Sequence, residues 1–153
     1  MKGIDMRTAY SIIFLSFLLI LMLVTPVNGS SDWVRCERSN TGNVLFYNKV
    51  SIKHRTGDIV QVWYKLVYSD EGREECIQHL KTRGFLLSED WDRLSYRLAL
   101  KEIDCKNEMS RFLSIIFYDT YSTVLSSDSY DKPKWDYIVP GSMMDILRKK
   151  VCK

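Results

Sequence analysis

The run Ile59-Val60-Gln61-Val62-Trp63-Tyr64-Lys65-Leu66-Val67-Tyr68 decides how this chain folds. Side chains alternate sides along an extended strand, so Val60, Val62, Tyr64, Leu66 and Tyr68 share one face. The opposite face mixes Gln61 and Lys65 with Ile59, Trp63 and Val67. One side therefore reads as core and the other as only half polar.

Working outward from this strand, the chain behind it offers two shorter extended segments. Trp33 to Cys36 precedes the polar turn Ser39-Asn40-Thr41-Gly42, and Val44 to Tyr47 follows it, with Thr56-Gly57 turning the chain into the long strand. Ahead of it the period changes. Cys76, Ile77 and Leu80 recur at helical spacing among Glu71, Arg73, Glu74, Glu75 and Lys81, which predicts an amphipathic helix over residues 71–83, stopped by Gly84. Phe85 to Arg93 reads as a loop, with Trp91 as its packing residue.

Strand character returns in Ser95 to Asp104, where Tyr96, Leu98 and Leu100 share a face, and again in Arg111 to Tyr118. The short Cys105 to Met109 link makes these two antiparallel neighbours. Val124 to Ser129 is a weaker strand after the Asp119 to Ser122 turn. At the C-terminus, Pro140-Gly141 halts the extended chain and Ser142 can cap a helix whose apolar stripe is Met144, Leu147 and Val151. Arg148, Lys149, Lys150 and Lys153 crowd the end of that helix, where positive charge complements the macrodipole. The expected fold is α+β: an antiparallel sheet of about six strands, a C-terminal helix on one face, and the further helix at 71–83.

The N-terminal residues carry a different message. Lys2 and Arg7 precede an almost wholly apolar run from Ser11 to Val24, and Pro26 breaks it before Val27-Asn28-Gly29. That is the layout of a secretory signal peptide over residues 1–29, with the domain occupying 30–153. The apolar run is too short for a bilayer of about 30 Å, so no stable membrane span is expected after cleavage. The first cysteine, Cys36, lies too far from the apolar run to suggest lipid attachment. The expected address is the periplasm, the cell surface or the medium.

Two of the 22 basic and one of the 19 acidic residues fall within that leader, leaving 20 against 18 with interspersed signs. Such a balance gives no reason to expect a nucleic-acid partner. All four cysteines, Cys36, Cys76, Cys105 and Cys152, follow the leader, and an even count in an exported chain favours disulfides, with three pairings open. Cys76 and His79 share a helical face but lack a second ligand pair, so no metal or other cofactor is expected.

Catalysis finds little support. His54 sits in Lys53-His54-Arg55 and His79 follows Glu75, neither within a recognisable nucleophile and base arrangement. Glu102 and Asp104 share a strand face, where ion pairing is the commoner use of such residues. Binding fits better, since four tryptophans and eight tyrosines in the 124 residues after the leader exceed the needs of an ordinary core. Trp63, with Gln61 and Lys65 beside it, is the candidate interaction surface.

The ordered set of segments resembles the surface-adhesin protein E family. The segments are Trp33-Val34, Phe46-Tyr47-Asn48, Ser51-Ile52, Val60 to Trp63, Glu102 to Lys106, Arg111-Phe112-Leu113, Tyr118-Asp119, Trp135 to Ser142 and Val151-Cys152. The resemblance implies an antiparallel sheet whose C-terminal helix is held on the concave face by a disulfide, here Cys105 to Cys152. Closing a loop of about 48 residues in this way removes roughly 4 kcal/mol of unfolded-state freedom. Cys36 and Cys76 are additional to the family pattern and either pair with each other or stay free. Asn48 stands where the family often has Asp, and the Asp119 turn lacks its usual Gly. The adhesin that names the family binds host matrix and serum proteins such as vitronectin and laminin. The resemblance thus implies a bacterial envelope protein acting as a non-catalytic binding or adhesion module, with an envelope or extracellular protein as partner or a second copy in a homodimer. The alternative is a periplasmic small-ligand carrier or hydrolase, which would need a deep aromatic pocket with a strongly perturbed carboxylate.

Overall fold

The computed structural model describes residues 32–153. The signal peptide at 1–29 and the domain start at Ser30 therefore lie outside the described residues. The strands are β1 (Trp33–Arg38), β2 (Val44–Asn48), β3 (Lys53–His54), β4 (Ile59–Val67), β5 (Leu94–Asp104), β6 (Met109–Asp119), β7 (Val124–Ser129) and β8 (Asp136–Tyr137). They form one antiparallel sheet in the order β1-β2-β4-β5-β6-β7; β3 pairs with β4, and β8 pairs with β6. The six strands expected from alternation are the six of this path. The two-residue strands β3 and β8 are too short to carry a period and are visible only in the structure.

Register fixes which face is covered. Val60, Val62, Tyr64 and Leu66 stand opposite Ile103, Lys101, Ala99 and Arg97 on β5. Leu45, Val60, Val62, Tyr64, Leu66, Ala99, Ile103, Ile115 and Phe117 join Trp91, Leu94, Ile138, Leu147 and Val151 in one buried cluster. Tyr96, Leu98 and Leu100 stand opposite Val67, Lys65 and Trp63. The apolar triplet of β5 thus lies on the open face, while two cations of the same strand, Arg97 and Lys101, point to the helices.

Helix α1 (Asp70–Thr82) and helix α2 (Met143–Val151) both pack on the core face. Ser69 caps α1 by accepting the Gly72 N–H at 3.0 Å, and Asn43 accepts the Ser69 N–H at 2.9 Å. Asn43 lies so close beneath the first turn that a Cβ at Gly72 would meet its Oδ1 at 1.9 Å. The helix ends where expected: Arg83 closes its last turn, and Gly84 takes φ +85°.

The C-terminal reading also matches the structure. Ser142 Oγ accepts the Asp145 N–H at 3.2 Å, and the Asp145 carboxylate accepts from the Gly141 N–H at 3.0 Å. Leu147 is fully enclosed, a burial worth about 2–3 kcal/mol for a leucine. A disulfide joins Cys105, just past β5, to Cys152, just past α2, with Cα atoms 5.7 Å apart.

Candidate functional site

The face turned away from the helices carries Trp63 and Lys65 on β4. Phe46 pairs with Lys65 across β2, and Leu100, Leu98 and Tyr96 follow across β5. All six are partly exposed. Lys65 Nζ lies 4.0 Å from the centre of the Tyr96 ring, which itself stacks on Tyr118 at 4.8 Å. The cation is thereby held flat against an aromatic platform. Register adds Arg35, opposite Phe46, and Lys53, opposite Gln61, to the same side. Farther across, Glu102 and Arg111 pair at 2.7 Å and neutralise each other. The β1 to β4 half is consequently apolar with cations among its aromatics.

The three candidates read from the sequence share this side of β4 but differ in availability. Trp63 borders a shallow depression with Ser51, Lys53 and Leu100. Gln61 is buried, and its Oε1 accepts from Arg55 Nη2 at 2.6 Å, so its polar group is already engaged. Trp63 and Lys65 remain presented.

On the opposite face, a cavity of about 340 Å³ opens between α1 and β5 to β7. Leu80, Phe85, Trp91, Phe112, Ile115 and Phe117 form most of its apolar wall, and Arg97 joins them. Arg97 Nε and Tyr64 Oη are both sealed from solvent and have no hydrogen-bond partner in the protein. Four residues along β5 on the same face, Lys101 is buried; its Nζ donates to Ser110 Oγ at 2.9 Å and lies 3.9 Å from the centre of the Phe112 ring. Burial, helped by the Arg97 charge, lowers the Lys101 ammonium pKa to about 8. Alternation along residues 95–104 separates Tyr96, Leu98 and Leu100 from Arg97 and Lys101 without showing which set the helices cover.

The carboxylates are used structurally. Hydrogen bonds from the Asn107 backbone and side chain hold Asp104 below its usual range, and the Lys149 ammonium, the Gly141 N–H and Arg148 do the same for Asp145. Asp145 belongs to α2 and does not line the cavity. Cys36 and Cys76 are separate thiols. Cys36 sits at the register shift of β1, where burial pushes its thiol up against the pull of Lys150, whereas Cys76 Sγ donates to Tyr68 Oη at 3.4 Å. Among the described residues, no cluster of three metal-ligating side chains occurs and no helix is long and apolar enough to cross a membrane.

The family departures have local explanations. The Asn48 side chain accepts the N–H groups of Val50 and Ser51, both at 3.1 Å. In the Asp119 turn, Ser122 adopts φ +63°, a conformation that favours glycine.

A family model described as surface-adhesin protein E matches residues 33–153. Among solved structures, crystal form II of Haemophilus influenzae protein E is similar at 15% identity, with a TM-score of 0.51, covering 85% of this chain and 94% of that one. The selenomethionine form of the same Haemophilus influenzae protein gives 16% identity and a TM-score of 0.50, covering 85% and 92%. At these identities the likeness concerns the fold. No curated protein sequence matches this chain.

Proposed function

This chain belongs to the surface-adhesin protein E family, and from that premise we propose that it is an exported, non-catalytic module that binds a protein partner through the open face of its sheet. The observation that carries the reading is the row of Phe46, Trp63, Leu98 and Tyr96, which neither helix covers. Aromatic side chains of this kind are enriched at interfaces and supply most of their binding energy. Arg35, Lys53 and Lys65 select a partner whose apolar centre is ringed by acidic groups. The same three cations repel their copies across a two-fold contact and so disfavour self-pairing. Export follows from the signal peptide read at residues 1–29, and the N-terminus of protein recovered from the envelope or medium should be Ser30.

The test uses the mature protein with immobilised vitronectin and laminin as probes, and light scattering in parallel. Saturable binding to either is expected, weakened about tenfold or more by Trp63→Ala and by Lys65→Glu, and weakened by raising the salt. A dimer that Trp63→Ala dissociates would replace the foreign partner by a second copy. A monomer that binds neither probe, or variants that bind as well as the parent, would overturn the reading.

A further inference from the structure

We propose that the cavity between α1 and the sheet is a binding site for a small apolar monocarboxylate, with Arg97 as its anion anchor. A guanidinium removed from water is costly unless its charge and donors are matched. Arg97, partly withdrawn from water, has no charge match: it makes no ion pair with any described residue, and its neutral neighbour is the Tyr64 phenol. The Tyr64 ring lies 5.8 Å from the Arg97 guanidinium carbon, behind the cavity wall, with its hydroxyl sealed from solvent. The Tyr64 oxygen can take a guanidinium donor but cannot answer the charge, so the cavity wall at Arg97 carries a cation that lacks an anion, and a carboxylate would supply one.

The remaining walls define the rest of the ligand. Leu80, Trp91, Phe112, Ile115 and Phe117 offer apolar surface beyond the guanidinium, and Phe85, 52% exposed at the mouth, would be covered by a bound chain. A space of about 340 Å³ lies at the small end of ligand sites, which run from roughly 300 to 1,000 Å³. Lys101 adds a second positive charge on the same strand face, roughly 13 Å further along. Asp128 at the rim is the one carboxylate lining the cavity; with Arg83 beside it, the lining stays net positive. The charge favours anions, the walls favour hydrocarbon, and the volume favours a chain of medium length. This site stands on the opposite side of the sheet from the surface proposed above.

The experiment titrates the mature protein with octanoate and with 1-octanol at neutral pH, following tryptophan fluorescence and heat. Octanoate should bind saturably and at least tenfold more tightly than 1-octanol. Arg97→Met should abolish that preference while leaving 1-octanol affinity unchanged, and Leu80→Trp, which fills the space without altering charge, should weaken both ligands. Trp63→Ala should leave the affinity for both ligands unchanged, which separates this proposal from the sheet-face reading. If Arg97→Met fails to fold, the comparison of the two ligands on the parent and on Leu80→Trp still decides. Equal affinity for the acid and the alcohol, undiminished octanoate binding by Leu80→Trp, or no saturable octanoate binding overturns the proposal.

Discussion

Lys101 places its ammonium where a sheet packed under helices ordinarily places a methyl group. It is 7% exposed, and its lowered pKa of about 8 has a consequence for stability with a definite sign. The unfolded chain holds the proton up to about pH 10.5, whereas the folded chain releases it near pH 8, so the unfolded state binds more protons between those values. Stability contributed by this residue therefore rises with pH in that window. Relative to Lys101→Met, the parent should gain about 1–2 kcal/mol between about pH 8 and 9.5, read by urea unfolding at each pH. The comparison with the variant removes the opposite trend expected from the Cys36 thiol and from Tyr64 and Tyr68, whose ionisation burial opposes. A difference that stays flat with pH would place Lys101 in water. Nothing in the pattern of residues 95 to 104 announces this, because alternation separates two faces without saying which one a helix will cover. The pairing of Leu66 with Arg97 and of Val62 with Lys101 makes that choice, and pairing is a long-range property.

At the scale of the element, α1 shows where local propensity misleads. Glycine inside a helix is about 1 kcal/mol worse than alanine, so Gly72→Ala reads as an improvement in isolation. Asn43 reverses the expectation, since its side-chain amide occupies the space that the new methyl group needs and also holds the Ser69 N–H. Gly72→Ala should destabilise the protein by about 1–3 kcal/mol, measured as a lower urea midpoint; an unchanged or raised midpoint would refute the packing argument. The helix itself was legible from Cys76, Ile77 and Leu80, and its stop from Gly84. The reason for its glycine was not, because Asn43 lies in the β1 to β2 connection, far away in sequence. The short turn at Glu89 to Arg93 shows the reverse case: read as a loop, it is a 3-10 turn, yet Trp91 packs as its size alone suggested.

At the largest scale, the described residues form a meander in which each strand of the main path lies beside the next one in the chain, with β3 tucked against β4 between them. That order was legible because most connections between neighbouring strands are short, the exceptions being the one through α1 and the one that holds β3. The place of α2 on one face was legible from its cap and apolar stripe, yet its nine residues fall below the length at which an isolated helix is stable. Packing by Leu147 and Val151 and the Cys105 to Cys152 bond supply what the helix lacks. Replacing both cysteines by serine should cost about 2–4 kcal/mol. Hydrogen exchange should then accelerate in α2 while β4 and β5 stay protected. Equal loss of protection in all three would mean that the helix and the sheet unfold as one unit.

The disulfide also fixes how the fold would carry a pull. Tension applied between the two ends of the described chain runs from β1 through β2 and β4 to β5, then crosses the sulfur bridge at Cys105 directly to Cys152. Everything between those cysteines, a separation of 47 positions holding β6, β7, β8 and α2, hangs slack beside the load path. The cavity wall contributed by β6 and β7 thus bears no direct load even while the first strands peel away. A module tethered at one end and gripped across its sheet would yield first on the side that does the gripping.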